Sequence, residues 1–479
     1  MNICQTNSKL VLRLSKKLLL LLILQFSFLI SISGYLLSQE NALDLTDFKN
    51  RAETIKNLGL SQEKAYEFLK ILTSVGSRLT GSPEAARAVE LMVRLMSDLG
   101  FDQVWKEPVQ VNHWVRGKAE KGLVKSQKFG QRRINICALG NSIGTPSNGI
   151  EAGVVEVNTF DRLSELKETI EGKIVFFNVP MDRTIVEPFA AYGRAAQFRL
   201  RGASEAARYG ARAVLIRSVT YRIDDYPHTG LMVYDEQYPK IPAAAISTSD
   251  AERLSRWLKD DPELRIFLKM HCQQLEPVIS SNVIGQLTGT EKPEEIILVG
   301  GHLDSWDLSP GAHDDASGCV VAIEALRLIK ESGLRPKRTI RAVLFMDEEF
   351  GGTGGRAYVR AEARQKEKHL VAIEQDHGGF VPIGLAIGGG ERVLNKIKTI
   401  ENILKPLGIN WIRTGGGGVD IGPLVEQGVI PGSLIPDSQR YFDYHHSALD
   451  VPSAVHPREL EFQAIILAIV VYFLAQEGL

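Results

Sequence analysis

The feature that most constrains this chain is an apolar run that leads directly into a row of carboxylates. Residues 339–346 (TIRAVLFM) are apolar enough for a strand covered on both faces, and Asp347, Glu348 and Glu349 follow immediately. Adjacent like charges at the end of a buried strand repel one another, and a bound cation would relieve that repulsion. The sequence therefore predicts a cation site at this end of the strand.

Polar groups of the same kind follow other apolar runs in the second half of the chain: His302, Asp304, Asp314, Asp315, Asp376, His377, His445, His446 and Asp450. Ligand sites of open α/β sheets lie beyond the carboxyl ends of the strands. Each residue alone has an ordinary structural explanation, but their occurrence at consecutive strand ends favours one shared site. Mixed histidine and carboxylate ligands suit zinc or another divalent metal, and hydrolytic sites often hold two ions.

Strands and helices alternate through this half, with a helix expected over 316–332 between two of the strands. This alternation predicts an α/β fold with a mixed, mostly parallel central sheet flanked by helices. The segment 135–272 has its own short strands and a helix expected over 194–209, which indicates a smaller inserted α/β domain. The apolar stretch 464–475 is too short to span a bilayer and is expected to be a buried core helix.

The N-terminus has the pattern of a secretory signal, expected over residues 1–38. Four cations precede an apolar run from Leu18 to Ile32, and small residues follow it. An uncleaved membrane anchor is the alternative. The pattern predicts a secreted or periplasmic enzyme with no stable membrane span once the signal is removed.

Charge and cysteine usage exclude several classes of protein. The formal net charge is -1 and no basic stripe occurs, which argues against a nucleic-acid partner. Cys137, Cys272 and Cys319 remain after the signal, an odd number without a CxxC motif, so neither a disulfide scaffold nor a zinc finger is expected. Either a bridge between Cys137 and Cys272 or buried thiols would fit.

Other motifs carry less weight. The segment 140–144 (GNSIG) matches the nucleophile elbow of serine hydrolases, but Pro146 and Gly149 leave no helix after it. The glycine-rich loop 414–433 is either a substrate contact or a plain linker. Tyr441 and Tyr444 flank the last histidines and would either line a pocket or belong to the core.

Four motifs together resemble the M28 family of co-catalytic zinc peptidases: GGHLDSWDLSPGAHDDASG, FMDEEFGGTG, IEQDHGG and HHSALD. The resemblance is closest to the carboxypeptidase Q branch and covers most of the chain after the signal, including the early GSRLTGS. It implies the zinc exopeptidase fold, with a discontinuous metallopeptidase domain over 39–134 and 273–479. It also implies that the insert, 135–272, is a protease-associated domain.

The resemblance further implies two Zn²⁺ ions, with Co²⁺ or Mn²⁺ as other suitable metals. His302, Asp314 and Asp376 would hold one ion, and Asp314, Glu349 and His446 would hold the other, with Asp314 as the bridge. His446 is preferred over His445 because the family histidine comes four residues before an acidic one.

Two further residues take roles from the same resemblance. Glu348 would be the general base, and Asp304 would orient His302. His445 would contact substrate or support a ligand. His313 departs from the family pattern, in which several relatives have Asn or Met before the bridging aspartate.

The implied activity is hydrolysis of short unblocked peptides by a homodimeric exopeptidase. Two alternatives remain: a single-zinc acyltransferase of the glutaminyl-cyclase kind, distinguished by metal stoichiometry, and a non-enzymatic receptor on a peptidase fold, which would lack ligands. The sequence leaves open which end of the peptide is cut.

Overall fold

The computed structural model of the protein describes residues 45–479, so the predicted signal lies outside the described residues. The helices are α1 (Leu45–Gln62), α2 (Ala65–Thr73), α3 (Pro83–Asp98), α4 (Phe160–Glu165), α5 (Lys167–Ile170), α6 (Pro188–Ala207), α7 (Thr248–Asp260), α8 (Ser317–Glu331), α9 (Thr353–Arg360), α10 (Gly390–Lys398), α11 (Glu401–Leu404), α12 (Gly422–Val425) and α13 (Pro457–Glu477). Short 3-10 turns cover Glu362–Lys366, Lys405–Leu407, Ser438–Asp443 and Pro452–Ala454.

The strands are β1 (Gln103–Val111), β2 (Trp114–Val115), β3 (Lys121–Ser126), β4 (Gly130–Ile134), β5 (Ile136–Ala138), β6 (Ile150–Val157), β7 (Ile174–Phe177), β8 (Ala213–Arg217), β9 (Ala243–Ile246), β10 (Arg265–Lys269), β11 (Gln273–Gln274), β12 (Val278–Leu287), β13 (Lys292–His302), β14 (Arg338–Phe345), β15 (Lys368–Glu374), β16 (Pro382–Ile387), β17 (Trp411–Thr414) and β18 (Ile430–Pro436).

Eight strands form the first sheet, in the order β1-β12-β14-β13-β15-β18-β16-β17. Its four central strands, β14-β13-β15-β18, are parallel to one another. Toward one edge, β12 pairs antiparallel with both β14 and β1, and toward the other edge β16 runs antiparallel to β18. This agrees with the predicted mixed, mostly parallel sheet. Because β14 is buried at every position, its eight residues read as a continuous apolar run interrupted only by paired polar groups.

Helices cover the first sheet as an α/β fold requires. The helix Ser317–Glu331 is buried along nearly its whole length, and both of its ends agree with the predicted range, 316–332, to within one residue. The C-terminal helix Pro457–Glu477 is the predicted core helix. Its length and apolar composition would suffice to cross a membrane, but 83% of its most apolar window is buried inside the protein.

A second sheet is built from residues 121–269, in the order β4-β3-β10-β6-β7-β8-β9-β5. Its central strands β6, β7, β8 and β9 are parallel, and the helix Pro188–Ala207 packs on it with Pro188 at its first turn. Two strands of this sheet, β3 and β4, precede residue 135, where the sequence suggested that the insert begins. The assignment of residues 135–272 to a protease-associated domain stays a prediction.

The cysteine and serine motifs find structural explanations. Cys137, Cys272 and Cys319 are free and buried, so no bridge joins Cys137 to Cys272. In the GNSIG segment, Ser142 Oγ accepts a hydrogen bond from the backbone N–H of Ala243. A Cβ on Gly140 would lie 1.9 Å from the ring of Trp306, so this glycine permits close packing and is not part of an elbow.

Candidate metal centre

The parallel strands of the first sheet deliver the predicted site residues to one edge. His302 is the last residue of β13, Asp347 to Glu349 follow β14, and Asp376 follows β15. His446 lies in the loop after β18, and Asp314 lies between β13 and the helix Ser317–Glu331. Since β14, β13, β15 and β18 are neighbours and run in the same direction, their carboxyl ends meet.

Asp314 lies at the centre of this cluster. Its Oδ1 atom is 3.1 Å from His302 Nε2, and its Oδ2 atom is 3.2 Å from His446 Nε2. His302 Nε2 is also 3.8 Å from Asp376 Oδ1, and His446 Nε2 is 3.1 Å from Glu349 Oε2. All five predicted metal ligands are therefore brought together, with Asp314 between the two histidines.

Backbone carbonyls fix the orientation of both histidines. His302 Nδ1 lies 3.1 Å from the carbonyl oxygen of Asp304, and His446 Nδ1 lies 3.3 Å from that of Thr229. A carbonyl can only accept, so each Nδ1 carries a proton, and each Nε2, which faces Asp314, is the nitrogen left available to a metal ion. This is the usual arrangement of metal-binding histidines.

The segment that contains Thr229 belongs to the part of the chain that forms the second sheet. The N–H of Thr229 donates to the carbonyl of His446 at 2.9 Å, and His228 Nδ1 lies 2.7 Å from the carbonyl of His445. Residues 228–230 therefore lie directly against the last candidate ligand. No feature of the sequence pointed to this contact.

The carboxylate of Asp304 organises the acidic loop rather than the ring of His302. Oδ1 accepts the N–H groups of Asp347 at 2.8 Å and Glu348 at 3.2 Å, and Oδ2 accepts that of Glu349 at 3.3 Å. Thr80 donates to Oδ2 at 2.7 Å. The carboxylate stays 3.8 Å from His302 Nδ1, so it is the Asp304 carbonyl that contacts the ring.

Other acidic groups hold the backbone of Asp314. Asp450 accepts the N–H groups of His313 at 2.7 Å and Asp314 at 3.1 Å. The peptide bond between Asp314 and Asp315 is cis, and Asp315 accepts the N–H of His302 at 3.0 Å and that of Gly318 at 2.9 Å. Asp450, one of the polar residues that the sequence places near the predicted site, thus holds the backbone of the residue proposed as the bridge.

The two neighbouring glutamates of the acidic loop differ in their surroundings. Glu349 is 6% exposed, contacts His446, and accepts a hydrogen bond from Trp306 Nε1 at 2.5 Å. Glu348 is more exposed, and its carboxylate lies in none of the groups of candidate ligands found in residues 45–479. Asp347, with φ of 74°, adopts the left-handed backbone conformation just before them.

The remaining histidines are less suited to hold a metal. His445 Nε2 is 3.7 Å from Asp314 Oδ2, farther than His446, although His445, His446 and Asp314 form one geometrically acceptable group. The His313 ring stacks on Phe380 at 4.3 Å, and its Nδ1 accepts the N–H of Gly379. Burial lowers the pKa of His313 to about 3, so it is a neutral packing group.

Two features left open by the sequence lie close to Asp376. Tyr441 is 2% exposed and its hydroxyl donates to Asp376 Oδ1 at 3.4 Å, so it is a core residue that also contacts a candidate ligand. In the glycine-rich loop, a Cβ on Gly418 would lie 2.1 Å from the carboxyl carbon of Glu374, two residues before Asp376. The glycines therefore permit close approach of the loop to the site.

The electrostatics of the cluster favour bound positive charge. Burial alone would lower the pKa of His446, but the neighbouring carboxylates, Glu349 first and then Asp314, raise it to about 10. Burial, and then the charges of Asp376 and Glu349, raise the pKa of Glu348 well above its usual range. Carboxylates this close together need a counter-charge, which protons or metal ions can supply.

Metal ions fit the donors present. Asp314 Oδ2 and Glu349 Oε1 are buried without a hydrogen-bond partner among residues 45–479. One donor atom each from His302, Asp314 and Glu349 lies within 4.8 Å of the others, and the same holds for His302, Asp315 and Asp376. Buried oxygens of this kind rarely stay unpaired, and a set of imidazole and carboxylate donors is the set that zinc prefers.

Comparison with known proteins agrees with this donor set. The model of Peptidase family M28 matches residues 282–470. Carboxypeptidase Q of Bos taurus is 37% identical over 441 residues, which cover 91% of this chain and 91% of that protein. The chain belongs to peptidase family M28. Human carboxypeptidase Q is 38% identical over 428 residues, 88% of each chain.

Solved structures support the M28 assignment. A peptidase M28 precursor from Shewanella amazonensis SB2B superposes with a TM-score of 0.85 at 34% identity, covering 91% of this chain and 98% of that one. A zinc aminopeptidase from Bacillus subtilis, at 22% identity and a TM-score of 0.62, shares the fold over 87% of this chain and 95% of its own. This M28 peptidase is a zinc-type metallopeptidase, and its fold is the predicted one.

Proposed function

We propose that this M28 peptidase is a two-metal exopeptidase that hydrolyses short unblocked peptides. The observation that supports this most strongly is the position of Asp314, whose two oxygens face different histidines, His302 and His446. A carboxylate placed in this way is suited to bridge two cations. Under this proposal His302 and Asp376 complete one metal site, and Glu349 and His446 complete the other.

Two bound divalent ions would lower the pKa of a water molecule and polarise the scissile carbonyl. The chain supplies the rest of the chemistry. Glu348 accepts the proton of the attacking water on its carboxylate and then donates it to the nitrogen of the leaving amine. Its position suits this exchange, because it lies next to Glu349 in sequence and yet belongs to none of the groups of candidate ligands found in residues 45–479.

Asp304 keeps Glu348 available for this step. It holds the N–H groups of three successive residues, 347 to 349, and thereby fixes the direction in which the Glu348 side chain leaves the backbone. Glu349 is held by contacts with Trp306 and His446, so its carboxylate is not available for proton transfer. The two neighbouring glutamates thus divide the work of metal binding and proton transfer.

The test is hydrolysis of a dipeptide, its N-acetyl form and its C-terminal amide by purified, metal-saturated protein, alongside metal analysis. We expect hydrolysis of the free dipeptide, loss of that activity with a chelator, and two ions per chain. One ion per chain together with cyclisation of N-terminal glutamine would favour the acyltransferase. Two ions without hydrolysis of any peptide would favour a receptor.

We further propose that the protein is exported by the sequence at residues 1–38 and acts as a homodimer. The first point rests on the basic and apolar pattern of that segment, and the second on the resemblance to the carboxypeptidase Q branch. N-terminal sequencing of the secreted protein tests the first. Light scattering of the same material tests the second, for which a single-chain mass would be the contrary result.

A further inference from the structure

A buried tryptophan donates its only polar hydrogen to a candidate metal ligand. Trp306 lies in the loop after β13 and is 3% exposed. Its Nε1 donates to Glu349 Oε2 at 2.5 Å. An indole has one N–H and no acceptor, so this is the single hydrogen bond that the side chain can make. Trp306 therefore contacts the metal centre through a directed bond as well as through its ring.

A second tryptophan shows that burial alone does not dictate this acceptor. Trp114 is fully buried in the same apolar cluster, with its ring centre 6.4 Å from that of Trp306. A buried indole N–H needs a partner, and Trp114 Nε1 has one in the backbone carbonyl of Ser142 at 2.9 Å. Trp306 donates instead to a carboxylate, and a hydrogen bond to an ionised acceptor is the stronger kind.

The ring of Trp306 is held tightly by its neighbours. It meets Trp114 edge to face, and its centre lies 5.1 Å from that of Phe350. On the other side, a Cβ on Gly140 would lie 1.9 Å from Cη2 of the ring. Packing therefore sets the direction of the indole N–H, and a donor fixed in this way can hold its acceptor in one position.

The carboxylate that accepts this bond is a flexible group that a metal site needs in one orientation. Glu349 Oε2 lies 3.1 Å from His446 Nε2, and Glu349 Oε1 is buried without a hydrogen-bond partner among residues 45–479. A glutamate loses rotamer freedom when it is ordered, so a donor that orders it beforehand reduces what metal binding must oppose. The ring of Trp306 is also 5.6 Å from that of His446. Both candidate ligands of one proposed metal site are thus in contact with Trp306.

We propose that Trp306 is a positioning residue for one metal ion, whose N–H holds Glu349 beside His446 so that both can bind that ion. Groups that hydrogen-bond to a metal-ligating carboxylate orient it and strengthen metal binding. Since the indole has a single donor, the ligands of the other proposed metal site receive no hydrogen bond from it. The inference rests on the two-metal proposal and gives this loop a selective effect on one of the two ions.

The experiment measures the affinity of each ion in Trp306→Phe and Trp114→Phe, by titration of metal-free protein with a zinc buffer. Phenylalanine keeps an apolar ring and removes the N–H. In Trp306→Phe, one of the two affinities should fall about 10- to 100-fold, the order seen when the hydrogen-bond partner of a metal ligand is lost, and the other should stay near the wild-type value. Trp114→Phe is the matched control, because it removes a buried N–H from the same cluster, and it should leave both affinities unchanged.

Steady-state rates give a second measurement. At limiting zinc, Trp306→Phe should hydrolyse the free dipeptide about 10- to 100-fold more slowly than the wild type, in proportion to the lost affinity. Excess zinc should restore kcat, because Glu349 itself is still present. A tryptophan that served only to fill the core would give a loss that added zinc does not restore.

A spectroscopic measurement on the wild type keeps the inference testable if Trp306→Phe does not fold. The chain has five tryptophans, and each indole N–H gives one signal in a nitrogen-15 spectrum of labelled protein. One signal should shift when zinc is added to metal-free protein, and that signal should persist in Trp114→Phe. If no indole signal shifts, Trp306 is not coupled to the metal and the inference is wrong.

Three results would overturn the inference and leave the peptidase proposal standing. These are unchanged affinities for both ions in Trp306→Phe, equal losses at both metal sites in that variant, and the same loss in Trp306→Phe and Trp114→Phe. Wild-type protein that binds fewer than two ions would instead refute the two-metal proposal itself.

Discussion

The Nδ1 atom of His446 lies 3.3 Å from the carbonyl oxygen of Thr229, although the two residues are 217 positions apart. His446 follows β18 of the first sheet, and Thr229 lies between two strands of the second. The contact sets the tautomer of the imidazole and so directs Nε2 toward Asp314. The part of the chain that forms the second sheet is therefore built into the metal centre.

Substitution of Gly230 tests this dependence. In Gly230→Ala the new methyl group would lie 2.6 Å from the Arg199 guanidinium and 2.7 Å from His446 Nδ1, on a backbone with φ of 136°. We expect lower metal affinity and at least a tenfold loss of activity, the order seen when groups that orient a metal ligand are removed. Titration with a metal buffer and initial rates measure the two effects.

Gly172→Ala is the control, since Gly172 also has positive φ, 74°, but its Cβ would have open space around it. It should cost stability without changing metal affinity. If both variants bind metal like the wild type, the segment 228–230 does not support His446.

The two adjacent glutamates should respond differently to substitution. Glu348→Gln removes the proposed base and should lower kcat by about 10²–10⁴-fold while both metals stay bound. Glu349→Gln should lose one metal, because its carboxylate faces His446. Steady-state kinetics and metal analysis measure these effects, with the exposed Glu362→Gln as a control. Retention of activity in Glu348→Gln would exclude it as the base.

The two adjacent histidines allow a similar comparison. His446 Nε2 is 3.2 Å from Asp314 Oδ2, whereas His445 Nε2 is 3.7 Å away. His446→Gln should therefore release one ion per chain, and His445→Gln should keep both and alter KM more than metal content. The opposite pattern would show that His445 is the ligand.

A buried ion pair joins the two sheets and should contribute to stability. Arg116 donates to Asp307 through Nε at 2.8 Å and Nη2 at 2.6 Å, and through Nη1 to the carbonyl of Ala138 at 2.5 Å. Arg116→Met leaves Asp307 without its partner and should lower the free energy of unfolding by about 3–5 kcal/mol.

Urea denaturation of the metal-free protein measures this change, so that metal loss does not contribute to it. The exposed pair of Lys106 and Glu90 is the control, and Lys106→Met should change the same quantity by less than about 1 kcal/mol. Similar changes in the two variants would mean that the Arg116 ion pair contributes little to the free energy of unfolding.

A carboxyl group far from the metal centre should make stability depend on pH. Burial, and then the charge of Glu324, raise the pKa of Glu461 to about 8 from 4.5. Between these values the folded chain holds a proton that the unfolded chain has lost, so stability should fall as pH rises, by about 1.4 kcal/mol per pH unit. Denaturation at several pH values should show a shallower slope in Glu461→Gln, and an unchanged slope in Glu362→Gln.

Much of the fold could be predicted because local sequence patterns determine where its strands and helices begin and end. The run before Asp347 is apolar since β14 is buried on both faces, and Ser82 caps the helix Pro83–Asp98 by accepting the N–H of Ala85 at 3.1 Å. The candidate ligands could be named because each follows a strand of the central parallel group. Strand ends are local features, and the sheet brings them together.

The supporting contacts could not be predicted in the same way. Thr229 contacts His446 through its backbone carbonyl, and since every residue has a carbonyl, the residue type at position 229 does not predict this contact. Arg199 belongs to a helix whose pattern only indicates packing, and that its Nε has no hydrogen-bond partner among residues 45–479 is visible only once its neighbours are known. The orientation of His302 by Asp304 stays a prediction, and the carbonyl of Asp304 lies 3.1 Å from His302 Nδ1; the sequence does not indicate that the Asp304 carboxylate also accepts the N–H groups of residues 347–349.

The contact of residues 228–230 with His446 also offers a route to inhibition. Because His228 and Thr229 are buried, an agent that separated this segment from the imidazole would have to part the second sheet from the first, and would not need to compete with a peptide for the metal ions.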